Sequence, residues 1–160
     1  MEIHKSALIG HSAVNMFDLI EAAEHYPEFL PWCANAAILT RDEGVVVAQI
    51  TIDYHGVYFS LTTRNPKRRP HWMAIHLEQG PFRRFEGEWR LTELTPDACK
   101  IDFALRYEFG GALVGKLAGS IFGGIASTLV DAFANRAERV LGRQRPHSSL
   151  DASPTLGTTS

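Results

Sequence analysis

Thiol chemistry has little to work with in this sequence. Cys33 and Cys99 are its two cysteines. They stand far apart, without CxxC spacing, and no neighbouring base marks either as a nucleophile. Two buried free thiols are expected, not a disulfide. Long apolar runs are missing as well. Lys116 and Asp131 bracket the apolar part of the C-terminal stretch, which is shorter than the ~20 residues that cross a bilayer. The opening Met1-Glu2-Ile3-His4-Lys5 has none of the apolar character of a signal peptide. Cytoplasmic residence is the expectation, with peripheral contact at the inner membrane as its variant. The common catalytic signatures GxSxG, P-loop, HExxH and GxGxxG are absent. The seven histidines show no pair at metal-ligand spacing, so no metal and no cofactor is expected.

Charge is unevenly spread. Residues 1–63 hold Lys5 and Arg41 against eight acids, for −6, and the remainder carries +4 within a net charge of −2. Much of the basic excess sits in Arg64, Lys67, Arg68, Arg69, Arg83 and Arg84. These six residues form a candidate basic patch for RNA phosphates or an anionic membrane surface. Solvated charge on hairpin loops is the plainer alternative.

What the chain does have is periodicity. Ile3 to Gly10 reads as a strand. Ser12 is a candidate N-cap for a short helix carrying Val14, Phe17, Leu19 and Ile20. Tyr26-Pro27-Glu28-Phe29-Leu30-Pro31-Trp32-Cys33 is predicted to form a helical turn that tucks its aromatics inward. From about Ala36 the period is two. Strands are predicted over 38–41, 45–54, 57–64, 72–79, 85–94 and 98–109, with breaks that include His55-Gly56, Asn65-Pro66 and Gly80-Pro81. Each strand has one dry and one wet face. Ile101, Phe103, Leu105, Tyr107 and Phe109 alternate with Lys100, Asp102, Arg106 and Glu108. Glu86 and Glu88 share a wet face, where solvation or pairing with arginine is expected before acid–base catalysis.

Leu113 to Leu141 contains no proline. Leu117, Ile121, Ile125, Leu129 and Phe133 recur every fourth residue, which is the spacing of one apolar helix face. One helix of about 40 Å is predicted. Its first half is rich in small residues, including Gly115, Gly119, Gly123 and Gly124. Each helical glycine costs up to ~1 kcal/mol relative to alanine, so either another group comes close there or space is left for a ligand. A one-sided sheet needs a cover, and this helix is the element long enough to supply it. The result is an α+β domain over 1–142. A disordered polar tail is expected over 143–160. A sheet curved against one helix can enclose volume that side chains leave unfilled. Candidate lining residues are Trp32, Tyr54, Phe59, Leu61, Thr63, Met73, Ile75, Trp89, Phe103, Leu105 and Tyr107. The helix adds Ile121, Phe122, Ile125 and Leu129. Tyr54, Thr63, Tyr107 and the Trp89 indole are candidate polar handles.

Three stretches resemble one branch of the START-like superfamily. They are Tyr26 to Cys33, Phe59-Ser60-Leu61-Thr62-Thr63-Arg64-Asn65, and Gly80 to Trp89. That branch includes the coenzyme Q-binding START-domain proteins and the ribosome association toxins, and is also labelled polyketide or oligoketide cyclase/lipid transport. The resemblance implies a helix-grip (START/Bet v 1-like) fold, a seven-stranded curved antiparallel sheet around a long C-terminal helix and a hydrophobic tunnel. It implies non-catalytic binding, transport or chaperoning of a hydrophobic ligand, ubiquinone or a similar isoprenoid lipid, in support of respiration. For the bacterial members it implies binding to the large ribosomal subunit and a block of subunit joining. Cyclase activity is the third implication, and no matching catalytic constellation accompanies it. A monomer is expected.

Overall fold

The computed structural model describes residues 1–142 and, for 112–117, the backbone alone. The tail expected over 143–160 and the side chain of Leu117 lie outside the described residues. Seven strands form one antiparallel sheet: β1 Glu2–Ile9, β2 Cys33–Arg41, β3 Val45–Tyr54, β4 Val57–Arg68, β5 Trp72–Gln79, β6 Phe82–Thr95 and β7 Ala98–Phe109. Their order is β1-β7-β6-β5-β4-β3-β2. The chain therefore crosses from one sheet edge to the other between β1 and β2. It does so through helix α1, Ala13–Glu21, and a 3₁₀ helix over Ala23–Glu28. Ser12 caps α1, its hydroxyl accepting the Asn15 N–H at 3.1 Å. The β3–β4 hairpin turns in two residues, with His55 at φ 49° and Gly56 at φ 82°. Positive φ at both positions matches the right-handed twist of the flanking strands.

Two expectations fail, each for a local reason. Asn65-Pro66 does not end β4, which continues to Arg68. The ladder to β3 runs on through Val46↔Asn65 and Val45↔Pro66. The ladder to β5 lapses at these two residues and resumes at Lys67↔Met73, because proline has no N–H to give. The C-terminal helix is not one piece but two, α2 Ala112–Ser127 and α3 Leu129–Val140. Ser127 Oγ donates to the Gly124 carbonyl at 3.0 Å, and Thr128 Oγ1 to that of Ile125 at 3.0 Å. Such hydroxyl bonds compete with the helical ladder and bend it. Thr128 sits at φ −104°, ψ 2° between the two helices. The bonding pattern restarts at once with Ala132 N–H to the Thr128 carbonyl, 3.0 Å.

Helix α3 is the anchor. Phe133 and Ala137 are fully buried. The Phe133 ring meets Tyr26 at 5.4 Å, Phe29 at 5.5 Å and Trp89 at 5.6 Å between centroids. Arg136 lies over the Phe29 ring and holds Glu28 at 2.9 Å. His11, buried in the turn after β1, has its Nε2 2.8 Å from Glu138 Oε2. Helix α2 faces a second aromatic cluster of Phe59, Phe82, Tyr107, Phe109 and Phe122, where Phe82 stacks on Phe109 at 4.3 Å and Tyr107 meets Phe122 at 4.9 Å. The two clusters leave an unfilled space between them.

Candidate functional site

The inner faces of β3 to β7 and the underside of α2 enclose a cavity of about 110 Å³. The structure brings Leu61, Thr63, Met73, Ile75, Trp89, Phe103 and Leu105 together on its sheet wall. Trp32, Phe122, Ile125 and Leu129 close it from the helical side. Gly87 on β6 makes room for this wall, since a Cβ there would stand 3.1 Å from Ile75 and 3.3 Å from Leu105.

Four expected lining residues lie elsewhere. Tyr54 and Ile121 border an outer groove of about 560 Å³ between the β3–β4 hairpin and the two C-terminal helices. Phe59 and Tyr107 belong to the aromatic cluster that closes the α2 end. Tyr107 is buried, and its hydroxyl donates to the Gly119 carbonyl at 3.0 Å. A Cβ on Gly123 would come within 2.8 Å of that hydroxyl, while Gly124 faces the outer groove with nothing within 4 Å. Gly123 thus answers a side chain pressed against the helix, and neither it nor Gly124 lines the cavity, whereas Ala126 does. Trp32 and Ile125 line both the cavity and the groove, and so form the wall between them.

Sequence reasoning missed several lining residues. Ala48, Ile50 and Ile52 carry a clear signal, since they share the dry face of β3 by alternation. Ile20, Glu21, Ala23 and Tyr26 depend on how α1 crosses the sheet. Asn65 was concealed by the proline after it. In β4 the inward row is Phe59, Leu61, Thr63, Asn65 and Lys67, apolar at one end and polar at the other.

Lys67 therefore does not belong to a surface patch. Its Nζ reaches Glu21 Oε2 at 2.8 Å, with 9% of the side chain exposed. Arg41 meets the same oxygen at 2.9 Å and Glu24 at 2.7 Å. The Arg41 guanidinium holds the Glu24 carboxyl below its ordinary 4.5, and the Arg41 pKa is raised in return, mainly by its bond to Glu24. The expected basic patch breaks up further. Arg69 is paired with Asp18 at 2.8 Å and Arg83 with Glu108 at 2.9 Å; Arg84 lies 3.9 Å from Glu86. Arg83 and Arg84 start β6, whereas Lys67 to Arg69 lie beside the opposite end of that strand, near Arg90. Arg64 and Arg68 have no ion-pair partner among the described residues. On the wet face Glu88 accepts from Trp72 Nε1 at 2.7 Å and Arg90 at 2.9 Å.

Burial pushes the Cys33 and Cys99 thiols up to about 11. The Tyr26 and Tyr107 phenols are raised by the same desolvation. The Tyr26 hydroxyl donates a hydrogen bond to the Ile20 carbonyl. Among the described residues no three His, Cys, Asp or Glu side chains converge as metal ligands. No described helix is long and apolar enough to cross a membrane.

Sheet, helices and enclosed cavity together define a START-like helix-grip domain. The chain belongs to the family described as polyketide cyclase/dehydrase and lipid transport, which matches residues 9–134. Ribosome association toxin RatA of Pseudomonas aeruginosa is 36% identical over 140 residues, covering 88% of this chain and 97% of that protein. Coenzyme Q-binding protein COQ10 homolog B, mitochondrial, of Xenopus laevis is 29% identical over 150 residues, covering 90% of this chain and 61% of that protein. In structure the chain is similar to the Zhui aromatase/cyclase from Streptomyces sp. R1128, with TM-score 0.77, 16% identity and coverage of 92% and 98%. At that identity the likeness speaks for the fold alone.

Proposed function

We propose that this protein binds and carries an isoprenoid-type lipid such as ubiquinone, without transforming it. The observation that carries the reading is the apolar cavity between the two aromatic clusters, divided from the outer groove by Trp32 and Ile125 alone. In this reading the ligand's head occupies the cavity and its chain runs past Trp32 along the groove. Apolar walls with few polar groups suit such a ligand. Of the ionisable groups at the cavity, Glu21 engages Lys67 and the Tyr26 hydroxyl donates to the Ile20 carbonyl, which supports binding over acid–base turnover. The coenzyme Q-binding relative supports the same reading. Native mass spectrometry of the protein from its own host tests it. Co-purification of a lipid of quinone type is expected. Recovery of protein free of lipid, together with no uptake of added ubiquinone, overturns the reading.

A second reading is ribosome association, favoured by the toxin relative and by the exposed Arg64 and Arg68. Arg68 borders a surface hollow with His71, Trp72, Glu88 and Arg90. Glu88 holds Arg90 and the Trp72 N–H, which leaves Arg68, among the described residues, as the unpaired cation beside the ring, an arrangement that suits RNA. Salt-sensitive co-sedimentation with ribosomes, lost in the Arg64→Ala/Arg68→Ala double variant, is its expected result. Co-sedimentation unchanged in that variant removes this surface from consideration.

A further inference from the structure

The inward row of β4 changes character along its length, from Phe59 in the aromatic cluster and Leu61 on the cavity wall to Thr63 and Asn65. Asn65 Oδ1 is buried and has no hydrogen-bond partner among the described residues. Its Nδ2 faces Met73 Sδ at 3.8 Å, a weak acceptor that nevertheless orients the amide. A buried acceptor left without a donor is costly and rare in folded proteins. Here it lines the cavity wall. We propose that this end of the cavity is a head-group subsite, in which Asn65 accepts a hydrogen bond from an uncharged hydroxyl on a long apolar ligand. The inference rests on the lipid-binding reading above and names the head that the site prefers.

Two features narrow the chemistry. The free atom is an acceptor, so its complement is an O–H: a hydroquinone or alcohol head is favoured over a quinone carbonyl or an ester. The head is also neutral. Behind Asn65 the charges of Glu21, Glu24, Arg41 and Lys67 close on one another as two anions and two cations. A carboxylate or phosphate head would have to break that set and would meet Glu21 on the cavity wall. The orientation follows from the register. Asn65 pairs with Val46, whereas Asp53 N–H bonds the Trp32 carbonyl at the other end of β3. At ~3.3 Å per residue these points are roughly 20 Å apart. The head thus lies at the inner end and the chain runs toward Trp32.

The test compares an alkylhydroquinone, kept reduced under anaerobic conditions, with the same alkylbenzene lacking both hydroxyls. Quenching of Trp89, which lines the cavity, reports binding to the wild type and to Asn65→Leu. In Asn65→Leu the hydroquinone is expected to bind about tenfold more weakly, with alkylbenzene affinity kept or improved. Asn65→Ala, checked by circular dichroism, serves if the leucine variant does not fold. The same preference for hydroquinone over alkylbenzene in wild type and variant overturns the subsite while lipid binding stands. Binding of neither probe by the wild type overturns the lipid reading and the subsite with it.

Discussion

Gly123→Ala measures how closely the sheet presses on α2, and its sign depends on a residue of β7. Alanine in a helix interior is favoured over glycine by up to ~1 kcal/mol. Here the new Cβ would stand 2.8 Å from Tyr107 Oη. The ring has nowhere to retreat, since Tyr107 is 1% exposed and held between Phe122 at 4.9 Å, Phe109 and Phe82. Overpacking of this kind costs about 1–3 kcal/mol, and displacing the hydroxyl from the Gly119 carbonyl costs about 1 kcal/mol more. Set against the propensity gain, Gly123→Ala destabilises by about 1–3 kcal/mol. Tyr107→Phe alone loses the hydrogen bond, about 1 kcal/mol. In the Tyr107→Phe background the obstructing atom is gone, so Gly123→Ala becomes neutral or stabilises by up to ~1 kcal/mol. Urea unfolding followed by tryptophan fluorescence on the four proteins gives the cycle. The double variant should be more stable than the sum of the single effects by about 2 kcal/mol or more. Additivity within about 0.5 kcal/mol would refute the contact as the reason for glycine.

Two further predictions concern titration and thiols. Glu24 is held below its ordinary 4.5 by Arg41, so the folded state binds its proton less tightly than the unfolded chain. The stability this contributes is present above pH 4.5 and is lost as pH falls through 4.5 toward the folded value. Arg41→Ala should flatten that part of a pH–stability profile, and an unchanged acid limb would contradict the pairing. Cys33 and Cys99, raised to about 11, should react slowly with a thiol reagent at pH 8 in the native protein and at once in denaturant. Fast native labelling of either would show that its burial is wrong.

The strand count, the face of the sheet that the helices cover and most of the cavity wall were legible because one rule, alternation of dry and wet faces, governs them all. Leu61, Thr63, Met73, Trp89 and Leu105 reach the cavity by that rule alone. The rule says nothing about what fills the space it creates. Phe59 and Tyr107 have the same inward phase as Leu61 and Leu105 but pack against α2, since a cluster of rings at 4.3–6.4 Å closes that end of the grip. Local chemistry misled at two places where tertiary structure outweighed it. Four-residue spacing from Ile121 to Phe133 predicted one helix, and the spacing survives the break at Thr128 because helical bonding resumes within a single residue. Proline at 66 predicted a loop, but a strand flanked on both sides tolerates it by giving up part of one ladder. That second error had the larger consequence. Ending β4 at Arg64 assigned Lys67 to a surface patch and left Asn65 without a direction. Extending the alternation two residues past the proline turns Lys67 inward to Glu21 and places Asn65 on the cavity wall. The polar end of an otherwise apolar site therefore lies at the position where the local strand signal is weakest. This is physically reasonable: a lapse in the β4–β5 ladder and an unmatched buried carbonyl oxygen both cost stability, and both fall at Asn65, the residue proposed to receive the ligand's head.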